Sequence, residues 1–488
     1  MKRLVCVALA GLLALSASVA GADVKLPKIF SDNMVLQQST EAPVWGWAEP
    51  GEAIKVSLAD QSAETKAGDD GKWLVKIATP KATGDALELR ISGQNEVVFK
   101  NVLAGEVWVC SGQSNMQMSL NSSHDAAEEV KNANYPNIRL FTLARGGNIP
   151  QDKPIDDLPD TGANEHKWLA CTPDNARDFS AVAYFFGRKL NQELDVPVGL
   201  ISTNWGGTIC EAWTSHEALA ADKEWFGPIL ERGQEFKPGN PNQPSVLFNA
   251  MIHPLLPYAI RGAIWYQGES NVGRAEQYAK LFPAMITDWR QQWGQGDFPF
   301  LFVQLAPYCY GGDKATNTPK DTGQLAELWE AQFKTLELPH TGMAVTTDIT
   351  ELFDIHPRNK QDVGARLAQW ALGTTYGKDV TISGPLYDSM AVEAGKIRLK
   401  FKHAEGLMAK DGQDLTDFEI AGDDEKFVPA KAVIDGETVV VSSPDVPKPV
   451  AVRFGWKDYA TPNLFNKAGL PASPFRTDSF KMVTAGRK

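Results

Sequence analysis

The chain has 488 residues, more than one ordinary hydrophobic core holds, so two or three domains are expected. Its 48 Lys and Arg against 60 Asp and Glu leave a formal charge of −12 without any basic block, which argues against nucleic acid and anionic membrane as partners. Five cysteines without CxxC spacing and seven histidines without an HExxH argue against a zinc site, and no metal or other cofactor is expected.

In chain order, residues 1–22 come first. Lys2 and Arg3 precede an apolar run from Leu4 to Leu15, and small residues follow up to Ala20, Gly21 and Ala22. This is the layout of a secretory signal peptide cleaved near Ala22, with an apolar part too short to span a bilayer. The expected product is exported, periplasmic or extracellular, and not membrane-bound. Cleavage also removes Cys6 and two basic charges, leaving about −14 and four cysteines, Cys110, Cys171, Cys210 and Cys309. An oxidising compartment permits disulfides among them, and the spacing selects no pairing.

Residues 23–102 alternate short apolar strands with Pro-Gly and Asp-Gly turns, as in "APVWGWAEPGEAIKVSL" and "GDDGKWLVKI", and predict a small β-sandwich. From 103 to 384 the pattern becomes strand, loop, helix. The strands are "GEVWVC", "VPVGLIST", "RGAIWYQ", "FPFLFVQL" and "TGMAVTT", mostly apolar, as strands covered on both faces are. Tyr278, Leu281, Phe282, Met285, Ile286, Trp289 and Trp293 repeat at helical spacing over Ala275–Trp293, and Ser180–Leu194 predicts a second amphipathic helix. Alternation of this kind predicts an α/β fold: a parallel sheet with helices on both faces. Residues 385–488 return to β texture in "KIRLKFKH", "ETVVVSS" and "PVAVRFGW", and predict a C-terminal β-module.

The loops after the parallel strands should converge at the sheet's carboxyl edge. The first carries Gly112-Gln113-Ser114, where the serine is either a nucleophile or the start of a turn. The second carries Gly206-Gly207-Thr208, the third Gln267, Gly268, Glu269, Ser270 and Asn271, and the last Asp354 and His356. Singly each has a structural explanation. Together they supply a hydroxyl, an imidazole to activate it, a carboxylate and backbone donors for an oxyanion, which serine acyl transfer requires. A two-carboxylate glycosidase using Glu269 and Glu211 is the rival enzyme, and a non-catalytic sugar-binding protein the rival from outside catalysis.

In "GQSNM", "WGGT", "WYQGESN" and "DIHPRNKQDVGARLA" the chain resembles the SGNH, or GDSL-like, hydrolases, and more closely the sialate O-acetylesterase family of carbohydrate acetylesterases. The stretch "VRFGWKDYATPNLFNKAGLPASPFRTD" is similar to that family's C-terminal β-region. The resemblance implies an SGNH, flavodoxin-like sheet and a serine esterase releasing acetate from an acetylated carbohydrate, sialic acid or a hemicellulose such as xyloglucan or xylan. It makes Ser114 the nucleophile and His356 the base, with Ser114 and Gly206 as backbone oxyanion donors. Two departures stand out. Ser270 occupies the place of the superfamily's donor asparagine, so Gln267 is the candidate third donor; Phe353 occupies the place of the supporting Asp, so Asp354 completes a triad or a Ser-His dyad operates. Gln113, Asn115, Glu269, Asn271 and Arg358 are candidates for substrate contact, with Glu269 and Asn271 alternatively holding their loop. Arg274 is a second arginine near the site loops, and Met116 replaces the second glycine of G-x-S-x-G, so this is not the α/β-hydrolase elbow.

Overall fold

The structure, a computed structural model, describes residues 23–147, 149–160 and 166–488. The expected signal peptide, residues 1–22, lies outside the described residues. The centre is a sheet of seven strands: β1 (Glu96–Gly112), β2 (Tyr135–Thr142), β3 (Trp168–Cys171), β4 (Val198–Asn204), β5 (Gly262–Tyr266), β6 (Phe300–Val303) and β7 (Thr341–Ala344). They lie in the order β7-β6-β5-β1-β4-β2-β3, all parallel except β3, which runs antiparallel to β2. Without β2 and β3 the order is that of the flavodoxin-like fold, in which the crevice opens where β1 meets β4 on one side and β5 on the other. The edge pair was not among the expected strands. Pro136 and Asn137 at its start read as turn residues, and only Ile138–Phe141 is buried.

Helices cover both faces. Helix α1 (Ser114–Gln117) is one short turn after β1, and the longer ones are α2 (Ala181–Leu194), α3 (Ala275–Trp293), α4 (Gln324–Lys334) and α5 (Lys360–Trp370). Trp108 of β1 packs edge-on against Phe186 of α2, while Trp265 of β5 stacks with Phe282 of α3 on the opposite face. The α3 aromatics assigned to core from their spacing are all buried there. Among the described residues no helix is long and apolar enough to cross a membrane.

Strand β1 has 17 residues. Its first half pairs antiparallel with Leu87–Ser92 of the N-terminal sandwich, and its second half enters the parallel sheet without a break. Val44, Val56, Ile77 and Leu89 of the sandwich consequently join one continuous core with Trp108 and Val109. Residues from Ile397 to Phe475 enclose a second core in antiparallel sheets. That module is clamped to the central domain by Arg476, paired with Glu330 of α4 at 3.0 Å, and by the buried Asp458. The Asp458 carboxylate accepts from the N–H and hydroxyl of Thr322 and the N–H of Leu325, and its carbonyl accepts from Tyr308 N–H, fixing the loop between β6 and α4. All four described cysteines are buried free thiols.

Candidate active site

Strand β1 stops at Gly112, whose φ of +138° and whose position suit glycine alone: a Cβ there would stand 2.2 Å from the carbonyl oxygen of Tyr266. Gln113 N–H donates to that same oxygen at 3.0 Å, so the turn is pinned to β5. Ser114 opens α1, which is anchored by buried Met116, whose carbonyl accepts from Ser180 Oγ at 2.6 Å. The serine therefore sits on a fixed backbone at the carboxyl edge of the sheet. The N–H of this first helical residue has no intrahelical acceptor, as is general for helix starts.

After β7 the chain makes an irregular loop before α5 and brings His356 back across the mouth. Its Nε2 lies 2.8 Å from Ser114 Oγ, although 242 positions separate the two residues. The pair is within proton-transfer reach. The imidazole is half-buried, and its pKa falls below the ordinary 6.5, chiefly because burial disfavours the cation; Asp354 opposes this shift and Lys360 adds to it. His356 is thus neutral, and able to accept a proton, at neutral pH.

Asp354 is near but does not form the bond of a standard triad. Its Oδ1 is 3.8 Å from His356 Nδ1 and instead accepts the backbone N–H of His356 at 3.0 Å. Carboxylate and imidazole are only two positions apart, so the acid caps the local turn and acts on the ring through its charge. Gly206 follows β4 beside Ser114, where a Cβ would stand 3.2 Å from Ser114 Cβ. Its N–H donates at 2.7 Å to Oε1 of Gln117, a residue the sequence reading did not single out.

The β5 loop departs from expectation. Gln267 is fully buried and donates both amide hydrogens, to Thr208 O at 3.1 Å and Asn271 Oδ1 at 2.7 Å, while its Oε1 accepts from Tyr278. It has no hydrogen left for an oxyanion, so the third-donor expectation is corrected: Gln267 is wall. Asn271 is buried too, bonded to Cys210 N–H and to Glu211, and holds the loop rather than facing substrate.

Gln113, Asn115 and Glu269 also turn inward. Gln113 donates to Thr208 O at 3.1 Å and to Glu269 Oε2 at 3.3 Å. Asn115 donates to Glu269 Oε1 at 2.6 Å and to the carbonyl of Ile355 at 2.9 Å, the residue just before His356. Gln113 and Asn115 are thereby corrected from substrate contacts, and Glu269 takes its alternative role of holding the loop; the three form a brace joining the serine, β5 and histidine loops. Burial pushes the Glu269 carboxyl above its usual range. Arg358 remains exposed at the rim, its Nε donating to Ser122 O at 3.2 Å.

The brace ends in Lys360, the first residue of α5, which is fully buried with its Nζ 2.6 Å from Asn115 Oδ1 and 5.0 Å from the centre of the Tyr266 ring. A signal for it existed. Lys360, Val363, Gly364 and Leu367 fall at i, i+3, i+4 and i+7 on the buried stripe of α5, so a lysine heads an apolar face. Burial pushes its pKa down to about 7. Between that value and the ordinary 10.5 the unfolded chain holds a proton that the folded one has released, so stability rises with pH across this window, by at most about 1.4 kcal/mol per unit. Denaturant midpoints from pH 7 to 9 should climb in the native chain and flatten in Lys360→Met; equal slopes would show that this ammonium is not desolvated.

Glu211 is buried, ion-paired with Arg274 at 2.8 Å and bonded to Asn271, and both oxygens of Glu269 are engaged in the brace. Neither carboxylate is free for the acid-base work of a glycosidase, and Arg274 is not free to meet a substrate. Among the described residues no group of three or more His, Cys, Asp or Glu is arranged to hold a metal ion.

Comparison with known proteins identifies the family. Residues 104–373 match the family model described as carbohydrate esterase, sialic acid-specific acetylesterase. The chain is 31% identical over 507 residues to the sialate O-acetylesterase of Homo sapiens, covering 93% of each, and 31% identical over 518 residues to that of Mus musculus, covering 93% of this chain and 94% of the other. Among solved structures it resembles a carbohydrate acetylesterase from Xanthomonas citri, with 38% identity, a TM-score of 0.83, and coverage of 94% of this chain and 100% of that one. The chain belongs to the sialic acid-specific acetylesterase family of carbohydrate esterases and is a carbohydrate O-acetylesterase.

Proposed function

We propose that this enzyme is exported and removes acetyl groups from neutral O-acetylated hemicellulose fragments through an acetyl-Ser114 intermediate. The observation that carries the chemistry is the 2.8 Å contact between Ser114 Oγ and a neutral His356 Nε2. Oγ attacks the acetyl carbonyl while Nε2 takes its proton. The tetrahedral oxyanion forms beside the N–H groups of Ser114 and Gly206. Imidazolium then protonates the departing sugar oxygen, leaving acetyl-Ser114 and a free sugar hydroxyl. Water attacks the acyl carbon in its turn, giving its proton to Nε2, and collapse of the second intermediate returns that proton to Oγ and releases acetate.

Charge at the rim supports a neutral sugar. Glu351 and Asp354 stand on the histidine loop with Arg358, while Lys360 is buried and turned to Asn115. A sialic acid would bring its carboxylate toward this acidic loop, and the −12 overall charge offers it no long-range attraction. Acetate release from acetylated xyloglucan, acetylated xylan and O-acetylated sialic acid, measured side by side with a chromogenic glycoside as control, tests the assignment. Hemicellulose esters should be hydrolysed with the highest kcat/KM. Faster sialate hydrolysis would overturn the substrate class and leave the esterase standing; glycoside cleavage without acetate release would overturn both. Export rests on the layout of residues 1–22, and a secreted product beginning near Asp23 is its expected signature.

A further inference from the structure

The oxyanion donor Gly206 N–H is already occupied, and its occupant is on the nucleophile's own helix. Gln117 stands three residues after Ser114 on α1, where i and i+3 share a face. Its Oε1 accepts Gly206 N–H at 2.7 Å and lies 3.0 Å from where a Gly206 Cβ would be, while Ser114 Cβ lies 3.2 Å from the same point. An acceptor oxygen therefore occupies the Gly206 donor, on the side of that loop that faces Ser114, where the substrate's carbonyl oxygen must come to use that donor. Gln117 is half-buried, and among the described residues its Nε2 meets no acceptor. The expected amide donor of the third loop, meanwhile, has both hydrogens engaged elsewhere.

We infer that Gln117 is a catalytic residue with two settings: a stand-in for the oxyanion in the resting enzyme, and the third oxyanion donor during acyl transfer. At rest Oε1 keeps the Gly206 N–H aimed and unhydrated. When the ester carbonyl arrives, the terminal amide turns about its last side-chain bond, a soft torsion with a broad minimum. Nε2 then faces the developing oxyanion beside the N–H groups of Ser114 and Gly206. The amide gains and loses no proton; one hydrogen bond to Gly206 is exchanged for a charge-assisted pair on the oxyanion. The inference rests on the reading of Ser114 and Gly206 given above and adds to it the amide that the Ser270 position lacks.

The test uses the full-length enzyme with a chromogenic acetyl ester and with acetylated xylan, and reads kcat and KM separately. Gln117→Ala should lower kcat by about 10²–10³-fold, the usual effect of deleting one oxyanion donor, with KM unchanged or lower because the resting occupant is gone. Gln117→Glu keeps the shape and can still accept from Gly206, but its carboxylate cannot donate and repels the oxyanion; its kcat should fall at least as far. A kcat for Gln117→Ala within about threefold of the native value, or above it, would make the side chain a mere plug and overturn the inference. So would native-like turnover by Gln117→Glu, the variant that decides the matter should the alanine chain not fold. Ser114→Ala serves as the control for the underlying reading: if it retains turnover, the site assignment fails, whereas loss there with full activity in the Gln117 variants sinks this inference alone.

Discussion

Ser114→Ala is expected to lower kcat for acetyl-ester hydrolysis by on the order of 10⁵–10⁶-fold, the scale seen when the nucleophile of a serine hydrolase is removed. Among the described residues the side chain has one polar partner, His356 Nε2, and it starts a helix whose anchoring comes from Met116 and the Gly112 turn. Deleting Oγ therefore removes the attacking atom and leaves the brace beneath it untouched. The unfolding midpoint should stay within about 0.5 kcal/mol of native, as for substitutions away from buried networks. Acetate release and denaturant unfolding of the same preparation separate the two effects. Surviving turnover would mean that another group attacks the carbonyl.

Local patterns made the scaffold legible. Short apolar runs marked β1, β4, β5, β6 and β7, and the 3.6-residue stripe marked α3 over Ala275–Trp293, the interval the structure has. What escaped was non-local or masked by turn residues. Strand β2 has Pro-Asn right after its first residue and is paired on both sides only through the fold, and no pattern announced that β1 runs on from the sandwich into the parallel sheet.

The site divided along the same line. Ser114, Gly206 and His356 were legible because the chemistry restricts their residue types and each follows a recognisable strand. The polar residues around them were not sortable, because a sequence does not say which way a side chain at a loop end points. Gln113, Asn115, Gln267, Glu269 and Asn271 look alike as surface donors and acceptors, yet all five turn inward. Such a buried polar network is tolerated because its groups satisfy one another, and its cost on disruption is what keeps the three loops in register. Asn115 matters most here, since one side chain ties the residue after Ser114 to the carbonyl before His356.

His356→Ala should cost nearly as much as loss of the serine, about 10⁵-fold or more in kcat, while Asp354→Asn should cost about tenfold or less. The difference follows from geometry. The imidazole alone is within reach of Oγ, whereas the carboxylate is 3.8 Å from Nδ1, half-exposed, and hydrogen-bonded to the backbone instead. Its effect on the ring is then electrostatic and screened by solvent. The pH dependence fixes the sign. The acid limb of kcat/KM reports the free enzyme's base, so in the native enzyme it should lie below the ordinary 6.5. Asp354 is the group that raises the His356 pKa, so Asp354→Asn should move the limb to lower pH and weaken the base; removing the Lys360 charge, which lowers that pKa, should move it upward. A loss beyond about 10³-fold in Asp354→Asn, with the limb unmoved, would show instead that the carboxylate closes onto Nδ1 when substrate binds and fixes the tautomer, making a full triad of what the resting site presents as a dyad.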